Sequence, residues 1–154
     1  MKHRRKILSC VIASLCTGAC ALPRWPIAGT MTSAYGFRMR GWHPDFHNGV
    51  DVAAAEGTPV HAMKKGTVVK AGTMSGYGLA VIIQHSSSLR TIYGHLSRID
   101  VKEGARVDHK TVIGEVGHTG NATGPHLHFE IWRREHAEDP VPLLGGFPPH
   151  ASRD

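Results

Sequence analysis

A chain of 154 residues has room for one domain with a full core and little space for a second. Its formal net charge of +6 hints at a polyanion partner, yet Lys2, Arg4, Arg5 and Lys6 carry four of the 18 basic residues, and the remaining 14 stand against 12 acidic ones. A body near +2 gives no charge-based case for binding nucleic acid, whereas twelve histidines are many for so short a chain.

Residues 1–21 read as a signal peptide. A basic start precedes an apolar, small-residue run from Ile7 to Ala21, too short to span a bilayer as a mature helix. Ala19-Cys20-Ala21 fits the small-x-small rule for ordinary cleavage, which gives a mature start at Leu22. Thr17–Cys20 offers a competing lipobox with Thr17 where leucine is usual, so ordinary cleavage is favoured over lipid attachment at Cys20. Cys10, Cys16 and Cys20 all lie in this segment, and the mature domain therefore has no disulfide. Export is expected, with the periplasm as destination and a membrane anchor only through a lipidated Cys20.

From residue 22 to 154 a single domain follows, in which Gly and Pro punctuate short runs of Val, Ile and Thr. Leu22 to Thr30, about nine residues, are too few to fold as an independent domain, and Trp25 among them is expected to pack beside the sheet. Strands are predicted near 50–54, 58–62, 66–71, 79–85, 89–95, 111–117 and 126–132, with turns at Lys65-Gly66, Ser75–Gly78 and Glu103-Gly104. The one helix candidate is a turn around Leu96–Asp100. Regular short strands point to an all-β sandwich or barrel-like sheet. Beyond Asp139, four prolines predict an extended strap, disordered from about residue 145.

Chemistry concentrates in two stretches, 47–51 and 119–130. His126 and His128 are two apart, so a strand sends both to one face and Leu127 to the other. Such a pair can share a metal, or one can bind it while the other handles protons. His47 and Asp51 would lie about 13 Å apart on a straight strand, at ~3.3 Å per residue. Sharing a metal requires a bend, which Asn48-Gly49 supplies. The alternatives are a solvated loop histidine at 47, a turn carboxylate at 51 and a partly buried edge-strand pair at 126 and 128. Gly120, Gly124 and Pro125 argue against the last, because they form a tight entry to the pair. His95 closes the β-rich run 89–94 and would on its own be structural. His61, His85, His109, His118 and His136 have no spacing argument and read as surface or packing residues.

These residues resemble the lysostaphin/LytM-type zinc endopeptidases that cut peptidoglycan peptides. The resemblance runs from Trp25 to about Leu144 through landmarks in order: 32–38, 46–51, 57–60, 66–68, 76–78, 93–97, Ile113-Gly114 and 119–130. It implies an antiparallel β domain with a groove, one zinc ion (Zn2+) held by His47, Asp51 and His128, His126 as general base, and His95 beside it positioning water and stabilising charge. Departures at Leu79, Ser86–Ser88 and His109-Lys110 fall away from the implied ligands. The implied activity is a zinc metalloendopeptidase acting on peptidoglycan stem peptides, most simply at the D-Ala–diaminopimelate cross-link, as a monomer. Relatives that have lost the ligands act as activators of other wall hydrolases. All five positions are filled here, which speaks against that alternative. Ala62-Met63-Lys64 resembles a biotin-attachment tripeptide, but an exported chain would not meet a cytoplasmic ligase, and a basic turn is the plainer reading.

Overall fold

A computed structural model describes residues 22–150; residues 1–21, read above as a signal peptide and including Cys20, and residues 151–154 lie outside them. The chain is built from β1 (Thr30–Ser33), β2 (Gly36–Arg40), β3 (His43–His47), β4 (Val50–Ala53), β5 (Pro59–His61), β6 (Gly66–Met74), β7 (Gly78–Ser86), β8 (Leu89–Ile99), β9 (Arg106–Val107), β10 (Val112–Val116), β11 (His126–Arg133), β12 (His136–Glu138) and α1 (Pro140–Leu143). Every pairing is antiparallel. Ten strands form an open sheet in the order β1-β4-β11-β8-β7-β6-β9, with β5, β10 and β12 joined at its sides. The all-β fold expected from sequence is the one observed.

Alternation builds the core. Val50 and Val52 of β4, Leu127, Phe129 and Ile131 of β11, Tyr93 of β8 and Val81 and Ile83 of β7 are all buried on one face. At roughly 1.5–3 kcal/mol per fully buried large apolar side chain, this face is the main source of stability. The same period of two sends Asp51, His126, His128 and Glu130 to the opposite face. Register then sets their neighbours: His128 lies across from Asp51 on one side and from Gly94 on the other. The β2–β3 hairpin stands apart as a separate two-stranded sheet. It delivers His47 to the edge of this face.

Three local expectations are corrected. Leu96–Asp100 is no helical turn: β8 continues to Ile99, because Leu96 is buried and pairs with both Leu79 and Val116. The chain after Asp139 forms a short helix capped by the Asp139 carboxylate, not an extended strap, with Pro140 at its tolerant first position. Residues 145–150 are tied to the body: Trp25 Nε1 donates to Gly146 O (3.0 Å) and Gly29 N to Pro149 O (2.8 Å). Trp25 is half-buried against Phe129, as a strap beside the sheet requires.

Candidate metal centre

His47 ends β3 and Asp51 sits one residue into β4, so the bend between them falls at Asn48-Gly49. Glycine is needed there for space more than for backbone angle. A Cβ at Gly49 would collide with the carbonyl oxygen of Phe129 on β11. The close approach brings His47 Nε2 to 3.2 Å from Asp51 Oδ1. His128 Nδ1 lies 2.8 Å from that oxygen and 3.1 Å from His47 Nε2. Donors ~2.0–2.1 Å from a tetrahedral zinc ion are ~3.3 Å apart, so two imidazole nitrogens and one carboxylate oxygen at these separations suit it. Among the described residues, this is the group of three whose ligand atoms converge, all within 4.8 Å of one another.

Each histidine is fixed by an acceptor on its far nitrogen. A carbonyl or carboxylate oxygen can only accept, so the nitrogen facing it carries the proton. His47 Nδ1 donates to Ala34 O (2.9 Å), His126 Nδ1 to Gly124 O (2.8 Å), and His95 Nδ1 to Thr119 O (2.7 Å). His128 Nε2 donates to Glu130 Oε1 (2.8 Å). The nitrogens turned inward are Nε2 of His47, His95 and His126, and Nδ1 of His128, the last of which faces Asp51 Oδ1. Outer-shell acceptors of this kind fix ligand tautomers in metal sites.

Glu130 is 1% exposed. Burial pushes its carboxyl up, but donors from His128, Trp132 Nε1 and Tyr77 OH (2.9 Å) outweigh that and hold it below its ordinary value. Asp51 follows the same balance: burial opposes its charge, and bonds from His128 and His47 keep it ionised well below the carboxylate range. His128 loses by burial and gains more from Asp51 and Glu130, which lift it to about 9. Without a metal it is therefore an imidazolium, its Nδ1 proton standing where a cation would stand.

His95 occupies a bulge. Between the pairs Leu79↔Leu96 and Val81↔Tyr93 the register shifts, and His95 takes φ 62°, a left-handed conformation costly for a non-glycine residue. The turn before β7 holds it there: His95 N donates to Tyr77 O (2.7 Å), while Thr119 Oγ1 accepts from Leu79 N and donates to Leu96 O. The bulge aims the ring at His126, 4.8 Å between centroids. Burial drives its pKa down, with nearby imidazoles adding to that, so His95 stays neutral. His126 Nε2 lies 3.7 Å from Asp51 Oδ1 and faces a groove of about 430 Å³ bounded by Ser33, Arg38, Thr123 and Pro125.

The five residues singled out from sequence thus come together on one face. Glu130, Tyr77, Thr119 and Arg38 carried no assigned role, although Glu130 continues the period-two face of His126 and His128. Among the described residues outside this face, His118 pairs with Glu56 (3.2 Å), and His85 bonds Lys65 O and Thr91 Oγ1. Ala62 and Met63 are buried, so that tripeptide is no exposed hairpin tip.

The chain is similar to several known proteins. The chain is 45% identical over 105 residues to the DD-carboxypeptidase/endopeptidase Mpg of Neisseria meningitidis serogroup B, a match covering 65% of this chain and 24% of that protein. It is 35% identical over 136 residues to the murein hydrolase activator EnvC of Escherichia coli, covering 84% of this chain and 31% of that one. It thus spans about a quarter to a third of these relatives. The catalytic domain of lysostaphin from Staphylococcus simulans superposes with a TM-score of 0.71 at 35% identity, over 75% of this chain and 92% of that domain. Residues 45–140, which hold the three converging donor residues and both neighbouring histidines, match the model of peptidase family M23, and the chain belongs to that family.

Proposed function

We propose that this protein is an exported zinc metalloendopeptidase that hydrolyses peptide cross-links of peptidoglycan, with the D-Ala–diaminopimelate bond as its target. The observation that carries the reading is the convergence of a three-donor cluster with two further histidines whose free nitrogens lie on the same face. His47, Asp51 and His128 would hold the zinc. Bound there, it would supply a Lewis acid that polarises the scissile carbonyl and makes hydroxide accessible near neutral pH.

The other steps fall to side chains. His126, its Nδ1–H anchored on Gly124, presents a bare Nε2 to the groove. That nitrogen takes a proton from the attacking water as the water oxygen bonds to the carbonyl carbon. It returns the proton to the departing nitrogen as the C–N bond breaks. Neutral His95 accepts a hydrogen bond through Nε2 and orients the water. Short side chains at Thr32, Ser33, Ala53 and Thr123 line the groove and leave room for an extended peptide.

Digestion of purified sacculi of defined chemistry tests the reading. Mass spectrometry of the products should show each cleavage freeing one D-alanine carboxyl and one diaminopimelate amine. Cleavage only at glycine bridges would replace the substrate, and no cleavage by zinc-loaded protein would remove the enzyme reading. Similarity to EnvC supports a second reading, an activator of other wall hydrolases. Stimulation of a wall amidase that survives His126→Ala would favour it. Export is tested separately: amino-terminal sequencing should find Leu22, and labelling by a fatty-acid analogue that Cys20→Ala abolishes would establish a lipoprotein instead.

A further inference from the structure

The segment 32–38 has no chemical role in the reading above, yet it places a guanidinium behind two of the proposed ligands. Arg38 projects from β2 between the hairpin and the main sheet. Its Nε donates to Asp45 Oδ2 (3.1 Å), and its Nη1 donates to Ser33 Oγ (2.7 Å) and pairs with Asp51 Oδ2 (3.4 Å). Ser33 Oγ in turn lies 3.3 Å from His47 Nδ1. Asp51 thus divides its oxygens. Oδ1 faces the two imidazoles and Oδ2 faces Arg38.

We infer that Arg38 is a positioning residue for the metal centre, holding Asp51 so that only Oδ1 is offered to the ion and steadying His47 through Ser33. The inference rests on His47, Asp51 and His128 being the ligands. Its physical basis is the shape of the site. His47 arrives on a hairpin that belongs to a separate sheet, whereas Asp51 and His128 are paired across adjacent strands. A planar fork with several fixed donors can bridge the two bodies, which a single point charge does less well. The charge balance agrees with this. Two carboxylates, Asp51 and Glu130, flank the centre, and Arg38 is the permanent cation paired with the first of them.

Zinc affinity measured with chelator-buffered metal, alongside the circular dichroism of the metal-free proteins, provides the test. Arg38→Gln should weaken zinc binding by about 10–100-fold, the usual loss when an outer-shell partner is removed, with the strand spectrum unchanged. Arg38→Lys keeps the charge without the fork and should lose less, several-fold. It is also the variant to read if Arg38→Gln fails to fold. Asp45→Asn loosens only the hairpin side and should bind zinc as the wild type does. In cobalt-substituted protein, a freed Oδ2 in Arg38→Gln should alter the visible spectrum, while Asp45→Asn should leave it unchanged. Wild-type affinity in Arg38→Gln, or in Arg38→Lys where only that variant folds, overturns the inference. An Asp45→Asn loss as large as that of Arg38→Gln also overturns it, because Arg38 would then act only by placing the hairpin. Asp51→Ala separates the two levels. If it keeps its zinc, the ligand assignment itself fails; if it loses zinc while Arg38→Gln does not, only the role of Arg38 fails.

Discussion

One proton on His128 links the chemistry of the centre to the stability of the fold. Its pKa rises from an ordinary 6.5 to about 9 in the folded protein, between Asp51 and Glu130. A raised pKa contributes stability that is complete below the unfolded value and fades as pH climbs through the folded one. Metal-free protein should therefore lose a few kcal/mol between about pH 6.5 and 9. Asp51, shifted downward, contributes above its ordinary range and fails only in acid. His85 and His95 are held neutral by burial and work in the opposite direction, but below about 6.5, so the alkaline limb belongs to His128. Bound metal would take the place of the Nδ1 proton, and the loaded protein should show no such decline. Calorimetry at pH 6 and pH 9, with and without chelator, checks this; equal alkaline losses in both forms would count against His128 as a ligand. Substitution then separates binding from proton transfer. His128→Ala and Asp51→Ala should abolish zinc binding, whereas His126→Ala should keep it and slow cleavage by ~10²–10⁴-fold. Zinc lost from His126→Ala but kept in His128→Ala would exchange the two roles.

At the level of elements, the site depends on contacts that no spacing in the chain announces. The turn before β7 and the loop at Thr119-Gly120 are forty residues apart, yet a Cβ on Gly78 would collide with the backbone and hydroxyl of Thr119. Gly78 also has φ 68°, so two demands meet in one residue. Gly78→Ala should cost about 1–3 kcal/mol. Through Thr119 and His95 it should also lower cleavage while zinc affinity holds. Gly104→Ala is the control, with φ 84° and nothing within 4 Å. It should lose some stability and keep its turnover; equal effects on turnover would show that His95 does not depend on this packing. Here the limits of the sequence are plain. Alternation made the shared face of His126 and His128 readable, because period two is a local property. The bulge at His95 is not local, since the register shift that creates it is set by three strands at once. Glu130 was legible in part. An acid two residues beyond a histidine pair lies on their face, but its donors Tyr77 and Trp132 come from pairing and burial. The Leu96–Asp100 turn failed for a related reason. A short polar run after a strand reads as punctuation until two neighbouring strands supply its ladder.

Across the whole molecule, the question is whether metal holds the fold together or only completes a site the fold already provides. The three proposed ligands come from β3, β4 and β11, the first and last 81 positions apart. A metal joining them closes a long loop, as structural sites do. The core, however, does not rely on them. Val50, Val52, Tyr93, Leu127, Phe129 and Ile131 lie on the other face, fully or almost fully buried and independent of the ligand side chains. Asp51 and His128 are also held by β4–β11 pairing without any ion. Zinc removal should therefore leave a folded, cooperative β domain, unlike small metal-dependent domains that unfold when chelated. Binding restricted to the native state still stabilises by mass action, about 4 kcal/mol when free metal stands a thousandfold above its dissociation constant. For a domain of this size that corresponds to a melting shift of roughly 10–20 °C. Scanning calorimetry over a zinc titration measures both quantities, and far-ultraviolet circular dichroism of chelated protein reports the fold. A chelated chain without strand signal at 25 °C would make the metal structural. A midpoint insensitive to zinc would mean that the native state does not bind it.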